Sequence, residues 1–185
     1  AKLMEKYLET ALSAARAAAQ VALAYYRREF DVEIKEDQTP VTVADKKAEE
    51  AIRSTLLGAF PEHGFYGEES GKAQEDADYL WLVDPIDGTK SFVGGYGMWS
   101  TQIALMHRGE LVLGVSCAPA AGEMAWATRG GGAFLDGAAI RVRDIDDLAQ
   151  AAVSTGNLQS MARTPRWSRL GDILGRVNRT RGYGD

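Results

Sequence analysis

The segment YLWLVDPIDGT, residues 79–89, is the most informative part of this 185-residue chain. Its first five residues are all apolar, which predicts a buried strand that stops at Asp84. Asp84 and Asp87 are then separated by one tight turn, in which the proline fixes a backbone angle and Gly88 permits unusual dihedrals. Both carboxylates can therefore face the same point at the end of the strand.

Two carboxylates held so close together repel each other unless a cation lies between them. Ligands that are all oxygen atoms suit Mg²⁺, Mn²⁺ or Ca²⁺ rather than Zn²⁺. If a helical turn starts at Gly88, its free N–H groups would favour phosphate, and the Thr89 hydroxyl could position a water. The alternative is a pair of solvated aspartates in a turn that ends the strand and caps an ordinary helix.

Two further acidic positions are candidates for the same site. The motif GEES at residues 67–70 could supply a third carboxylate through Glu68, although adjacent glutamates in a loop are usually solvated. Asp45 lies where a loop becomes a helix, so the helix dipole alone can explain it. Its functional alternative is a general base, or the partner that orients Thr89. Lys35, just upstream, fits a solvated loop lysine.

The remaining elements predict an α+β fold. Apolar residues at steps of three and four predict helices over 3–29 and 43–60, and the alanines of the first allow close helix packing. A hairpin signal at Arg108-Gly109 predicts an antiparallel sheet. The other predicted elements are a loop over 31–40, strands over 98–107, 110–117, 123–128, 133–135 and 151–155, and a helix over 166–177.

The composition excludes several classes of protein. The hydrophobic fraction of 45% and the charged fraction of 25% are those of a globular domain. A net charge of −5 argues against general nucleic-acid binding, and the sequence has no apolar run of the ~20 residues that a membrane span needs. The single cysteine, Cys117, cannot form an internal disulfide, so we expect a cytoplasmic protein. We interpret Cys117, His63 and His107 as structural residues.

The chain stops at Asp185 shortly after a new element begins, so we expect the protein to continue past this residue. The expected organisation is a metal-binding α+β domain over residues 1–150. Residues 151–185 would then be the start of a truncated C-terminal α/β domain.

Three motifs in this order resemble the inositol monophosphatase family: TVAD at 42–45, GEES at 67–70 and WLVDPIDGTKSF at 81–92. The glycine-rich GGGAF at 130–134 fits as well, so the resemblance covers about residues 5–185. It implies a layered αβαβα sandwich and a Mg²⁺-dependent, Li⁺-sensitive phosphomonoesterase with two or three metal ions. Its substrate would be a small phosphorylated metabolite, and the full-length protein would be a homodimer.

The resemblance also implies roles for individual residues. The metal ligands would be the side chains of Glu68, Asp84 and Asp87 and the backbone carbonyl of Ile86. Gly88 and Thr89 would hold phosphate through backbone N–H groups, and Thr89 and Asp45 would activate the attacking water. The family has another metal-binding aspartate, in a Trp-Asp motif of its C-terminal half, which this chain does not contain. The fragment alone is therefore expected to have an incomplete second metal site.

The segments DGTKSF at 87–92 and RGYGD at 181–185 resemble the histidinol-phosphate phosphatase branch more than the inositol branch. Asp185 could then face the cationic end of histidinol phosphate, or it could cap a following helix. Inositol-1-phosphate is the second candidate substrate, and nucleotide-derived phosphates are the third. Two other functions stay open: a non-catalytic fragment that binds metal and phosphate, and a calcium-binding structural protein.

Overall fold

A computed structural model of the chain describes residues 2–28, 32–34 and 40–182. The chain divides into two compact units, residues 1–140 and 141–185. The sequence analysis placed the boundary between domains at residue 150. The first unit ends with the last strand of a large sheet, which is why it closes at residue 140. Each unit is described by itself.

Two long helices cover one face of the sheet: α1 (Lys2–Tyr25) and α2 (Val43–Ala59). Five alanines of α1 are completely buried, and their small side chains let the two helices approach closely, as predicted. The helix was predicted to reach residue 29, but α1 ends at Tyr25 and residues 26–28 are not helical, so the predicted extension is wrong there. Arg27 has a positive φ of 59°, and it and Tyr26 both donate a hydrogen bond to the Gly95 carbonyl, which ends the helix.

Strand β1 (Val32–Ile34) pairs antiparallel with β2 (Pro40–Thr42) in a stretch that was predicted to be a loop. Strands of three residues are too short to give a hydrophobic period, so the sequence did not indicate them.

Within the described residues, eight strands form one sheet in the order β10-β9-β8-β7-β6-β5-β3-β4. Only β3 and β5 pair in parallel, so the sheet is largely antiparallel as predicted. The β6–β7 hairpin turns at Arg108-Gly109, where both residues have positive φ. The strands are β3 (Gly64–Gly67), β4 (Gly71–Ala73), β5 (Tyr79–Asp87), β6 (Ser100–His107), β7 (Glu110–Ala118), β8 (Glu123–Thr128), β9 (Gly132–Leu135) and β10 (Ala138–Ile140).

The main core lies between the sheet and the two helices. Trp81 and Leu105 are completely buried there, and Cys117 is a buried free cysteine, as the sequence predicted. His63 is also a core residue, since Trp81 Nε1 donates to its Nδ1 at 3.1 Å. A short helix, α3 (Thr89–Val93), follows β5 and packs Phe92 into a smaller second core cluster.

The second unit contains β11 (Ala152–Ser154), α4 (Leu158–Ala162), α5 (Trp167–Leu174) and β12 (Arg179–Arg181). The strands β11 and β12 pair in parallel, with both helices in the connection between them. The helix predicted over 166–177 is shorter in the structure, because Gly175 ends it. No helix in the described part of the chain is long and apolar enough to cross a membrane.

Candidate functional site

A bulge in β5 brings Asp84 and Asp87 to the same side of the sheet. Asp84 pairs with Gln102 on β6, and Asp87 pairs with Ser100. An advance of three residues along β5 therefore lies opposite an advance of only two residues along β6. Because side chains alternate along a regular strand, residues three positions apart would otherwise point to opposite faces. The turn predicted after Asp84 is therefore a strand irregularity, and the strand itself continues to Asp87.

Packing and one hydrogen bond fix the bulge. Proline lacks the N–H group that a strand ladder needs, so Pro85 is well suited to this position. Its carbonyl accepts a buried hydrogen bond of 2.8 Å from the Thr101 hydroxyl. The next residue, Ile86, is 1% exposed and packs with Phe92 and Trp99. The positions of the two aspartates thus depend on residues that the core holds in place.

Glu68 reaches the same place from the neighbouring strand. In the parallel β3–β5 pair, Gly67 lies opposite Val83, and the Glu68 N–H donates to the Val83 carbonyl at 3.1 Å. Glu68 directly follows the carboxyl end of β3, and Asp84 lies beside it, three residues before the carboxyl end of β5. Their side chains are hydrogen-bonded to each other. The structure therefore brings Glu68 into contact with Asp84.

The acidic surroundings change the chemistry of Asp84. Its pKa is raised to about 8, first by burial, then by the hydrogen bond and charge of Glu68, and then by the charges of Asp87 and Asp45. Its Oδ1 atom is buried and has no hydrogen-bond partner. Without a metal ion, burial and the neighbouring acids thus favour the protonated form of Asp84.

Asp45 lies in the first turn of α2 and is only 2% exposed. A carboxylate that serves only the helix dipole has no need to be buried, and aspartates are seldom buried without a partner. Its charge acts on Asp84, so the two groups are near each other. Asp45 thus belongs to the same acidic cluster, although its position in the first turn fits the dipole explanation too.

Gly88 and Thr89 link the bulge to α3. Gly88 has a positive φ of 90°, and a Cβ atom there would lie 2.7 Å from the Met98 carbonyl oxygen, so the position needs glycine. The Thr89 hydroxyl donates to the Ile86 carbonyl at 3.1 Å. The Thr89 hydroxyl and the Ile86 carbonyl, which were both predicted to serve the site, therefore contact each other.

The chemistry of these donors fits a divalent cation. Carboxylate and carbonyl oxygens are the ligands that Mg²⁺ prefers, and a cation would satisfy the orphaned Asp84 oxygen and relieve the repulsion between the acids. Among residues 2–28, 32–34 and 40–182, no three acidic, histidine or cysteine side chains already stand in the arrangement of a metal site.

A cavity of about 940 Å³ opens beside Glu68 and Asp84. Its lining side chains include Gln102 and Ser116, which lie on β6 and β7. The Gln102 amide nitrogen donates to the Ser100 hydroxyl at 2.7 Å and to the Ser116 hydroxyl at 2.9 Å. A row of polar groups thus extends from the acidic cluster across the sheet.

Sequence reasoning missed three residues of the site: Glu49, Thr101 and Gln102. Glu49 gave a usable signal, because it lies one helical turn after Asp45 and so shares its face of α2. Thr101 and Gln102 gave none, since their roles depend on the pairing of β5 with β6. Lys35 and Asp185 lie outside the described residues.

The sequence profile of the inositol monophosphatase family matches residues 3–185. The chain therefore belongs to the inositol monophosphatase family, as its motifs indicated.

Named relatives fall on both sides of the substrate question. The chain is 36% identical over 179 residues to a histidinol-phosphatase of Chlorobaculum parvum, covering 96% of the chain and 69% of that protein. It is 40% identical over 128 residues to an inositol-1-monophosphatase of Rhizobium meliloti, covering 69% of the chain and 48% of that protein.

A solved structure of an IMPase from Thermotoga maritima has the same fold. It superimposes with a TM-score of 0.86 at 31% identity, over 96% of this chain and 68% of the other. The chain spans 44% to 69% of the length of eight curated relatives that it matches.

Proposed function

We propose that the protein carrying this chain hydrolyses a small phosphate monoester with Mg²⁺ as its cofactor, and that the substrate is L-histidinol phosphate. The observation that supports this best is the acidic cluster at the ends of β3 and β5, where the Asp84 pKa is raised to about 8 and one Asp84 oxygen has no hydrogen-bond partner. A cluster of this kind is costly to the fold unless a cation uses it.

Glu68, Asp84, Asp87 and the Ile86 carbonyl would hold the cations, of which the family resemblance implies two or three. Bound Mg²⁺ would neutralise phosphate charge, lower the pKa of a bound water and stabilise the leaving oxygen. The bulge in β5 supports this assignment, because it turns both aspartates toward Glu68.

The remaining steps are assigned to residues of the chain itself. Asp45 and Thr89 would orient the attacking water, and the buried Asp45 carboxylate would take its proton. The backbone N–H groups of Gly88 and Thr89 would donate hydrogen bonds to the phosphate. The bond from the Thr89 hydroxyl to the Ile86 carbonyl would keep that hydroxyl close to the metal ligands.

The choice of histidinol phosphate rests on the segment DGTKSF and on relatives such as the Chlorobaculum parvum histidinol-phosphatase. By the same resemblance, Asp185 would contact the cationic end of the substrate. Inositol-1-phosphate is the second candidate, favoured by the inositol-1-monophosphatase of Rhizobium meliloti. The resemblance further supports inhibition by Li⁺ and a homodimer, and the single cysteine supports a reducing, cytoplasmic location.

A phosphate-release assay on the whole protein tests the proposal. We expect Mg²⁺-dependent release that is faster from histidinol phosphate than from inositol-1-phosphate. Asp87→Asn should abolish release, whereas Asp76→Asn, an exposed aspartate of the same unit, should not change it. Turnover by Asp87→Asn at the wild-type rate would contradict the assigned metal site, and faster release from inositol-1-phosphate would contradict the assigned substrate.

A further inference from the structure

Glu49 is a buried carboxylate outside the predicted set of site residues. It lies on α2, one turn after Asp45, and is 2% exposed. Glutamate is rarely buried in proteins unless other groups satisfy its charge. The groups that satisfy Glu49 therefore show what it does.

Its two carboxylate oxygens accept hydrogen bonds from consecutive backbone N–H groups. Glu69 donates to Oε2 at 2.7 Å, and Ser70 donates to Oε1 at 2.8 Å. Hydrogen bonds to an ionised acceptor are stronger than those between neutral groups. A side chain of α2 thus anchors the backbone just after Glu68.

Gly67 makes room for this contact. A Cβ atom at residue 67 would lie less than 3 Å from three atoms of the Glu49 carboxyl group, with 2.3 Å to Oε1 as the shortest separation. Any larger residue would push the carboxylate away from the two N–H groups. The first glycine of GEES and the buried glutamate of α2 therefore depend on each other sterically.

These contacts enclose Glu68 on both sides. Its own N–H is bonded to β5, and the next two N–H groups are bonded to Glu49. We propose that Glu49 is a positioning residue, whose carboxylate clamps the end of β3 so that the Glu68 side chain faces Asp84. This inference rests on the proposed function for its claim that the positioned group is a metal ligand.

If Glu49 positions Glu68 in this way, substituting Glu49 should lower metal affinity by a predictable factor. Residues that orient a metal ligand typically change metal affinity 10- to 100-fold when they are substituted. Glu49→Gln keeps the shape but leaves one oxygen to accept, and its NH₂ group faces a backbone N–H. We therefore expect Mn²⁺ affinity, measured by titration calorimetry on the chain, to fall about 10- to 100-fold in Glu49→Gln.

The control is Ile52→Val, which removes one buried methyl group from the same helix without touching the clamp. It should lower the melting temperature and leave Mn²⁺ affinity unchanged. Gly67→Ala provides a second route to the same contact and should weaken Mn²⁺ binding as well. If Glu49→Gln does not fold, Gly67→Ala tests the effect on Mn²⁺ affinity, and the exchange rates of the wild-type Glu69 and Ser70 amides test the clamp.

Hydrogen exchange without metal tests the clamp separately. The Glu69 and Ser70 amides should exchange slowly in the wild type and at least tenfold faster in Glu49→Gln. Wild-type Mn²⁺ affinity in both Glu49→Gln and Gly67→Ala, or an equal loss of affinity in Ile52→Val, would overturn the inference. Rapid exchange of both amides in the wild type would overturn the inference, whether or not the wild type binds metal. Failure of the wild type to bind metal would contradict the proposed function instead.

Discussion

The Asp84 side chain is half-buried beside Glu68 and near two other acids, so the fold without metal favours its protonated form. Its pKa rises from 3.8 in the unfolded chain to about 8 in the fold, because burial and the neighbouring charges both disfavour ionisation. A group with a raised pKa contributes stability that is full below its unfolded pKa. That contribution is lost as the pH rises through the folded pKa.

Replacing Asp84 should therefore stabilise the metal-free chain at alkaline pH. In the presence of a chelator, the wild type should lose melting temperature between pH 4 and pH 8, because over this range the Asp84 carboxyl ionises in the unfolded chain while the fold holds it protonated. The Asp84→Asn side chain cannot ionise, so the melting temperature of this variant should fall less over the same pH range. At pH 8 it should exceed the melting temperature of the wild type. Equal pH dependence of the two melting temperatures would contradict the raised pKa.

His63 is another buried titratable residue and lies in the core. Burial lowers its pKa below 6.5, although the charge of Glu62 opposes this shift. Its Nδ1 accepts the Trp81 hydrogen bond, and its ring stacks on Phe60 and Tyr79 at centroid distances of 4.8 and 4.9 Å. Because Nδ1 accepts this hydrogen bond, it carries no proton, so the bond favours the neutral imidazole.

The sign of the His63 effect is opposite to that of Asp84. A base with a lowered pKa contributes stability above its unfolded pKa of 6.5 and loses it as the pH falls through the folded pKa. The variant His63→Phe leaves the Trp81 N–H without an acceptor, which should cost about 1–3 kcal/mol at pH 7.5. Between pH 7.5 and pH 5, however, it should lose less stability than the wild type in urea unfolding. A larger loss in the variant would show that His63 is already charged in the fold.

At the scale of elements, β5 shows how far the sequence could be interpreted. Its apolar run predicted the strand, and the spacing of Asp84 and Asp87 predicted that both face one point. The bulge that achieves this was not predictable, because it is defined by the register against β6. The same holds for Thr101, whose hydroxyl matters only once that register exists. The short pairs β1–β2 and β3–β4 were missed because three or four residues give only a weak local signal for a strand.

Thr101→Val tests the support of the bulge. It removes the donor to the buried Pro85 carbonyl, which should cost about 1–3 kcal/mol of unfolding free energy and weaken Mn²⁺ binding, since both aspartates flank the bulge. Thr55→Val is the control, because its hydroxyl also bonds a carbonyl but lies in the middle of α2. That variant should leave Mn²⁺ affinity unchanged. If Thr101→Val binds Mn²⁺ as tightly as the wild type, the bulge does not need this bond.

At the scale of the whole molecule, the chain combines a mixed sheet under two helices with a smaller unit that has parallel strands. The α+β class and the antiparallel character of the sheet followed from hydrophobic periods and one hairpin signal. The first unit extends to residue 140, because β9 and β10 join its sheet through tertiary pairing. The family was recognisable because its motifs place acids at strand and helix ends, where local sequence and function coincide.

Metal binding should stabilise the first unit as a whole. A ligand that binds only the folded state at 100 times its Kd adds about 2.7 kcal/mol. Mn²⁺ should therefore raise the melting temperature of the chain, and a chelator should reverse the rise. The shift should be absent in Asp84→Asn and present in the surface variant Asp76→Asn. An equal shift in all three proteins would indicate binding elsewhere on the chain.

The most direct measurement is anomalous X-ray diffraction from crystals of the chain soaked in Mn²⁺. The acidic cluster predicts a peak at ligating distance from Asp84, with Glu68 or Asp87 as a second ligand. It also predicts that the Glu68–Asp84 hydrogen bond is broken in the soaked crystal. A fully soaked crystal that keeps this hydrogen bond and has no peak near these residues would contradict the metal site on which the proposed function depends.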